Sequence, residues 1–287
     1  RTTRQSFVVT ENSLHSVQFI GPPFTFGTAI LGTNVRIAGP NTAISVNDLV
    51  FWMGQENFYV YDGRINPIPC SVRQYVFDDI NRNQSFKFFA GSLSSNSEVW
   101  WYYCSASSDE IDRYVIYNYL EQTWYYGTLA RTAWNDRASG NRLYPQSPST
   151  DSYLYNHEFG LDDGSQVPAV GVNAFIQSSD FDIGDGQQFM LVNRVLPDLN
   201  FATSTASSPE VTFTMGARNF SGSAAGQGSV NGDVIRSSVV SGTDNYTDQV
   251  FMRLRGRQVN LKVESDTLGV KWRLGAPRLD ARPDGRR

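Results

Sequence analysis

Apolar runs broken by polar turns are densest between Glu98 and Trp134, EVWWYYCSASSDEIDRYVIYNYLEQTWYYGTLARTAW. Trp100 to Tyr103 is a run of strand formers, the polar segment Ser105 to Asp112 follows, and Tyr114-Val115-Ile116-Tyr117 is a second run. Asn118 to Gln122 supplies another turn before Thr123-Trp124-Tyr125-Tyr126, which Gly127 ends. None of this spacing is helical. Three aromatic and β-branched runs with turn chemistry between them predict a β-meander. Aromatics occupy both alternating positions, so the predicted sheet is covered on two faces, as in stacked blades or a sandwich.

Simpler versions of the pattern flank this stretch. Phe7-Val8-Val9 and Leu14 to Phe19 surround the turn Glu11-Asn12-Ser13, and Gly21-Pro22-Pro23 stops the second strand because proline cannot donate to a ladder. Leu49 to Trp52 and Phe58 to Tyr61 surround Gly54-Gln55-Glu56-Asn57, and Ser152 to His157 is a shorter version before Asp162-Asp163-Gly164. The hairpins recur about 40 to 50 residues apart, the period of β-propeller blades, with a run of hairpins in an ordinary sandwich as the alternative. About three blades' worth of strands can be counted where a closed propeller needs at least ~4, so further blades are expected upstream. Ser71 to Arg82 is the best helix candidate, with Val72, Tyr75, Val76 and Ile80 near helical spacing and Ser71 as N-cap. Arg137 to Thr150 reads as an exposed loop.

Around Gln166 the aromatics thin out and longer alternating strands appear between Gly/Ser/Thr-rich loops. Candidates are Ala174–Ser178, Phe189–Val195, Val211–Met215, Val234–Val240, Val250–Leu254, Val259–Glu264 and Val270–Leu274, a number that suits one β-sandwich. Met252 and Leu254 are apolar at even positions, whereas Val259, Leu261 and Val263 are apolar at odd ones, so Gly256 must lie in a turn or bulge that resets the register. The chain as a whole reads as all-β. A partial β-propeller-like region of aromatic hairpin blades covers residues 1–165, and a β-sandwich domain with basic C-terminal strands covers residues 166–287.

The length of 287 residues allows one large or two ordinary domains. No stretch reaches the ~20 apolar residues of a membrane helix. No signal peptide is visible, and a start at Arg1 without Met implies a processed chain or a fragment. The formal net charge of −4 conceals an asymmetry: Val250 to Arg287 holds ten Lys or Arg against four Asp or Glu, so the remainder is acidic. Arginine supplies nearly all the positive charge, which suits fixed contacts in interfaces or to phosphate.

Candidate chemistry is sparse. Cys70 and Cys104 read as reduced thiols, and His15 and His157 have no ligand-spaced cysteine beside them. Asp180, Asp182 and Asp185 have the spacing of oxygen ligands but lack the full calcium-loop pattern, so a capped turn is expected. Asp109, Glu110 and Asp112 sit in a polar turn where acidic residues are ordinary. The expectation is therefore no catalytic residue, no metal and no cofactor. Arg253, Arg255 and Arg257 stand apart as candidate inter-subunit contacts: Arg253 and Arg255 fall on one face of a strand opposite Met252 and Leu254. A solvated face and contact with nucleic-acid backbone are the alternatives.

Several stretches resemble a family of phage virion proteins. They are SVQFIGPPFTFG (16–27), VFWMGQENFYVYDGR (50–64), SSDEIDRYVIYNYLEQTWYYGTLARTAW (107–134) and STDSYLYNHEFGLDDG (149–164), then RLRGRQVNLKVES (253–265), WRLGAPRLD (272–280) and RPDGRR (282–287). The family is similar to the packaged-DNA-stabilisation and tail-nozzle proteins of short-tailed phages. The resemblance implies a non-enzymatic tail or neck protein of the virion, assembled in the host cytoplasm. It implies a homo-oligomeric ring, commonly a hexamer, below the portal and adaptor, with genomic DNA passing through its lumen without specific binding. It also implies a longer N-terminal part. The alternative is a receptor-binding or carbohydrate-binding or -cleaving tail protein that stacks sugars on exposed aromatics.

Overall fold

In the computed structural model, which describes residues 6–10, 12–136, 144–220, 234–242 and 249–286, the predicted strand formers assemble into antiparallel sheets. The chain divides into two units, Arg1–Phe159 and Gly160–Arg287. Each has its own apolar core.

The first unit begins with β1 (Ser6–Val9), β2 (Ser13–Gly21) and β3 (Thr25–Thr33), a three-stranded sheet in chain order. Next comes a four-stranded meander of β4 (Ala43–Val46), β5 (Leu49–Met53), β6 (Phe58–Tyr61) and β7 (Ile65–Ile68). After helix α1 (Arg73–Asp78) and a 3-10 turn at Arg82–Lys87, a second four-stranded meander follows: β8 (Phe89–Leu93), β9 (Glu98–Tyr103), β10 (Arg113–Asn118) and β11 (Thr123–Thr128). β12 (Gln146–Pro148) and β13 (Leu154–Asn156) close the unit as a two-stranded hairpin.

Both four-stranded sheets are buried on two faces, which is why their strands carry aromatics at consecutive positions. In β5, Val50 and Trp52 join Leu14 and Tyr61 in one cluster, while Phe51 and Met53 join Trp101 and Tyr117 in another. On β9, Trp101 meets Phe58 at 4.9 Å, and Trp100 stacks on Tyr114 at 5.1 Å and on Trp134 at 5.3 Å. Gly91 makes room for Trp134, since a Cβ there would stand 2.6 Å from the indole. The meanders meet along their first strands. Asn41 forms a parallel bridge with Phe89, and the Ala90 N–H donates to the Asn41 carbonyl at 2.8 Å. Consecutive up-and-down sheets with first strands side by side is the arrangement of neighbouring propeller blades. The third repeat, at Ser152–His157, contributes only the β12–β13 hairpin.

Two expectations change here, on the helix and on the number of strands. The helix is six residues long, its N-cap is Val72 without a side-chain hydrogen bond, and Ser71 does not cap it. Only Val76 of α1 is buried, so too little of the apolar spacing is anchored to extend the helix to Arg82. Strands β3, β4, β7 and β8 escape a pattern search because they are short or carry glycine or proline, yet they complete the sheets. The turn residue Glu11 and residues 137–143 of the expected loop lie outside the described residues.

In the second unit, β14 (Asp162–Asp163) pairs with β15 (Val170–Gly171). One larger sheet holds β16 (Ala174–Gln177), β17 (Phe181–Asp182), β20 (Glu210–Arg218), β21 (Val234–Ser241) and β23 (Gln258–Ser265). A second sheet sets β18 (Met190–Leu196) between β22 (Val250–Gly256) and β25 (Arg278–Pro283), and β19 (Leu199–Asn200) pairs with β24 (Arg273–Leu274). Val192, Val195, Met252 and Leu254 from one sheet pack with Val211, Phe213, Met215, Val259 and Val263 from the other, which makes a sandwich core. The expected last strand, Val270–Leu274, shortens to β24, and β25 is an unexpected strand because Arg278, Asp280 and Pro283 disguise it.

Candidate functional site

The register reset expected at Gly256 is a change of sheet. β22 runs beside β18, and after Arg257 the chain continues as β23 beside β20. Gly256 fits at the crossing because a Cβ would come 2.8 Å from the Ala217 Cβ and 3.0 Å from the Arg218 backbone N and O. The Arg257 N–H then donates to the Arg218 carbonyl at 2.9 Å. Earlier in β22 a register shift against β18 places Arg253 at φ +45°, a bulge position.

This geometry separates the three arginines. Met252 and Leu254 are buried and Arg253 is exposed, as the alternation requires. Arg255 turns back onto its own chain. Its Nε donates to Asp284 Oδ2 at 2.5 Å, its Nη2 donates to the Asp284 carbonyl at 3.0 Å, and its guanidinium lies 3.9 Å from the Phe189 ring centre. Arg257 lies 4.7 Å from the same ring and donates to the carbonyls of Gly186, Gln187 and Arg286 at 3.2, 3.0 and 3.1 Å. Backbone hydrogen bonds join the same segments: the Asp284 N–H donates to the Phe189 carbonyl at 2.7 Å, and the Phe189 N–H donates to the Gly285 carbonyl at 2.7 Å. Two of the three candidates therefore fasten the segment that follows β25 to the turn before β18, and of the three only Arg253 projects outward. Sequence alone did not single out Phe189 or Asp284, since both lie far from Arg255 along the chain.

The acidic candidates also have partners. Asp109 accepts from Gln84 Nε2 at 3.0 Å, Glu110 pairs with Lys87 at 2.6 Å, and Asp112 accepts from the Ser105 N–H at 2.8 Å and the Ser105 hydroxyl at 2.7 Å. Asp180 pairs with Arg218 and accepts from Asn260 Nδ2 at 2.9 Å. Asp182 lies in β17 and Asp185 sits at φ +58° in the following turn, and among the described residues no three acidic, His or Cys side chains group as metal ligands. His157 rests against Trp134 at 4.8 Å and accepts from Arg131 Nε at 3.0 Å, while Arg131 stacks over Tyr155 at 4.5 Å. His15 bonds the Ser13 hydroxyl at 2.7 Å.

No protein-family profile matches the chain, and no curated protein matches it. Among solved structures, exo-beta-1,3-galactanase from Phanerochaete chrysosporium with galactose aligns at 11% identity and a TM-score of 0.18, over 96% of this chain and 68% of that chain. A similarity at that level carries no argument.

Titration follows from the burial. Cys70 and Cys104 are free thiols, and desolvation pushes both up to about 11, so neither is a thiolate at neutral pH. Burial, with the Arg131 charge adding to it, lowers His157 to about 4. The folded state therefore holds the neutral imidazole, and the unfolded chain binds the proton first as pH falls. Its contribution is fully present above pH ~6.5 and is lost on the way down to the folded value of about 4. Allowing for partial exposure, the unfolding free energy of the first unit should fall by about 2 kcal/mol across that window, and His157→Gln should remove most of the slope. Denaturant titrations at both ends of the window check it. Equal pH slopes in the two proteins would sink it.

Proposed function

We propose that this chain is a structural wall protein of a tailed-phage tail, a nozzle or neck ring subunit around the DNA exit channel. The observation that carries the reading is where the family-like stretches fall. VFWMGQENFYVYDGR supplies β5 and β6, and the 107–134 stretch supplies β10 together with Trp124 and Trp134, which form or pack against the core of the sheets. Most of their aromatics pack into the core between the sheets, and the acidic side chains of the Asp109–Asp112 turn are tied into hydrogen bonds within the chain. Such a body serves as rigid walling, with polar loops left to line a passage. The ring would place copies side by side through heterologous contacts. Arg253 is the outward-facing arginine of its series that such a contact can use.

A conduit must release DNA, and each phosphate neutralised by Arg or Lys strengthens sequence-independent binding through counterion release. With Arg255 and Arg257 engaged inside the chain, duplex binding near physiological salt should be weak. Tight binding with a steep salt dependence, removed by Arg253→Ala, would contradict the reading. Location of the chain in virion images, with the oligomeric state of the isolated protein, tests the proposal directly.

One observation favours the receptor reading. Tyr75 and Tyr126 form an exposed ring pair 4.3 Å apart on the first unit. Trp124, by contrast, is packed against Phe58 and Tyr117, each at 4.7 Å, and donates to the Pro69 carbonyl at 2.8 Å, so it serves the core and not a sugar platform. Polysaccharide binding abolished by Tyr126→Ala would favour that alternative.

A further inference from the structure

The β2–β3 hairpin leaves the first unit's core half-way along its length. Leu14 and Ser16 are buried at its base, where β1 pairs with Leu14 to Val17. Beyond that point, among the described residues, the two strands pair only with each other, through Phe19 opposite Phe26 to Gly21 opposite Thr25. Phe19, Phe24, Phe26 and Ile30 are 70%, 76%, 62% and 65% exposed. The other face is apolar as well, because Ile20 lies across Gly27, where a Cβ would stand 3.1 Å from its side chain. From Ser16 to Val35 there is no Asp, Glu, Lys or Arg. The outer edge of β3 pairs with no strand among the described residues, and β3 contains neither proline nor charge. Natural sheets protect long edges with those residues, because an open row of N–H and C=O groups invites another strand.

The occupant must satisfy backbone as well as cover side chains. A bilayer would cover the phenylalanines but leave the edge N–H and C=O groups unpaired, at a cost of several kcal/mol each. A strand satisfies both. β3 is also complementary to itself: paired antiparallel about Thr28, it sets Phe26 opposite Ile30 of the second copy, Thr28 opposite Thr28, and Gly27 opposite Ala29. Aromatic against β-branched and threonine against threonine are favourable cross-strand pairs, and no like charges meet. We propose that the β3 edge is a two-fold contact site, joining two copies of this chain by antiparallel β3–β3 pairing centred on Thr28. This contact goes beyond the ring reading and does not rest on it. A ring whose members also paired this way would double into two rings back to back.

The test uses the full chain at micromolar concentration. Directly opposed residues place their Cβ atoms about 5 Å apart, so Thr28→Cys should oxidise to a disulfide-linked dimer far faster than Thr123→Cys on β11, whose outer edge pairs with no strand among the described residues. Thr28→Lys sets two charges face to face and should raise the dissociation constant at least about tenfold, with an unchanged near-ultraviolet spectrum to show that the chain still folds. A monomeric wild type, or equal oxidation of the two cysteine variants, would overturn the proposal. Rings of unchanged copy number in Thr28→Lys would overturn it and leave the ring reading intact. Simple dimers that Thr28→Lys dissolves would support it and count against the ring. Binding to neutral phosphatidylcholine vesicles that Phe24→Ser abolishes would assign the hairpin to lipid and overturn it.

Discussion

Replacing Trp101 by alanine should lower the unfolding free energy of the first unit by about 3 to 5 kcal/mol, the range for a large aromatic removed from a close-packed core. Trp101 is fully buried in β9, opposite Val115 on one neighbouring strand and Ala90 on the other. Its ring meets Phe58 at 4.9 Å and Trp124 at 6.2 Å, so one side chain fills the space between the two meanders. Its indole N–H donates at 2.9 Å to the Thr42 carbonyl, which also accepts from the Met53 N–H at 3.2 Å, so the hydrogen bond crosses from one sheet to the other. Alanine deletes that bond and leaves a cavity that two rigid sheets cannot close. Trp101→Phe should cost less, since much of the ring volume remains while the N–H is lost. The change should appear as earlier hydrogen exchange in β5, β6, β9 and β10 and a lower denaturation midpoint. A cost below about 1 kcal/mol would mean that the sheets do not pack through this residue.

The same residue shows what the sequence reveals and what it withholds. Consecutive aromatics at Trp100 to Tyr103 predicted a sheet covered on both faces, and both faces are covered. Strands of that kind announce themselves because each side chain has a neighbour to fill. β3, β4 and β8 do not: Thr25–Thr33 exposes most of its side chains, and Phe89–Leu93 contains the glycine that admits Trp134. Their places are set by backbone pairing with louder neighbours, which no residue-type pattern encodes. The candidate arginines were legible as a series with a buried opposite face, and that alternation holds. Their partners were not, because Phe189 and Asp284 reach Arg255 through β18 and β25, and β25 hides apolar Leu279 and Ala281 among charges. Arg194 shows how: it pairs with Asp280 at 3.2 Å, so the charges that disguise the strand bind it to its neighbour. Long-range pairing of this sort leaves no local signal.

Gly256→Val should destabilise the second unit by about 3 kcal/mol, the upper end for overpacking. The chain leaves one sheet of the sandwich at Gly256 and enters the other at Gln258, so three residues must turn within the thickness of the core. Glycine is required there by space and not by a left-handed φ. A Cβ would press on the Ala217 Cβ at 2.8 Å and on the Arg218 backbone N and O at 3.0 Å. The Ala217 methyl can be removed, but the backbone of β20 cannot retreat without losing its pairing with β23. Gly256→Val should therefore lift β22 away from β20, weaken the Arg257-to-Arg218 hydrogen bond and loosen the grip of Arg255 and Arg257 on the C-terminal strand. Adding Ala217→Gly should recover part of the loss, because one of the three close contacts disappears while the two backbone contacts remain. Trp272 is the second unit's tryptophan, and hydrogen exchange in β20, β22 and β25 should report the change with it. Wild-type protection in the single variant would show that the crossing can widen at little cost, and full rescue by Ala217→Gly would show that the methyl, not the backbone, sets the limit.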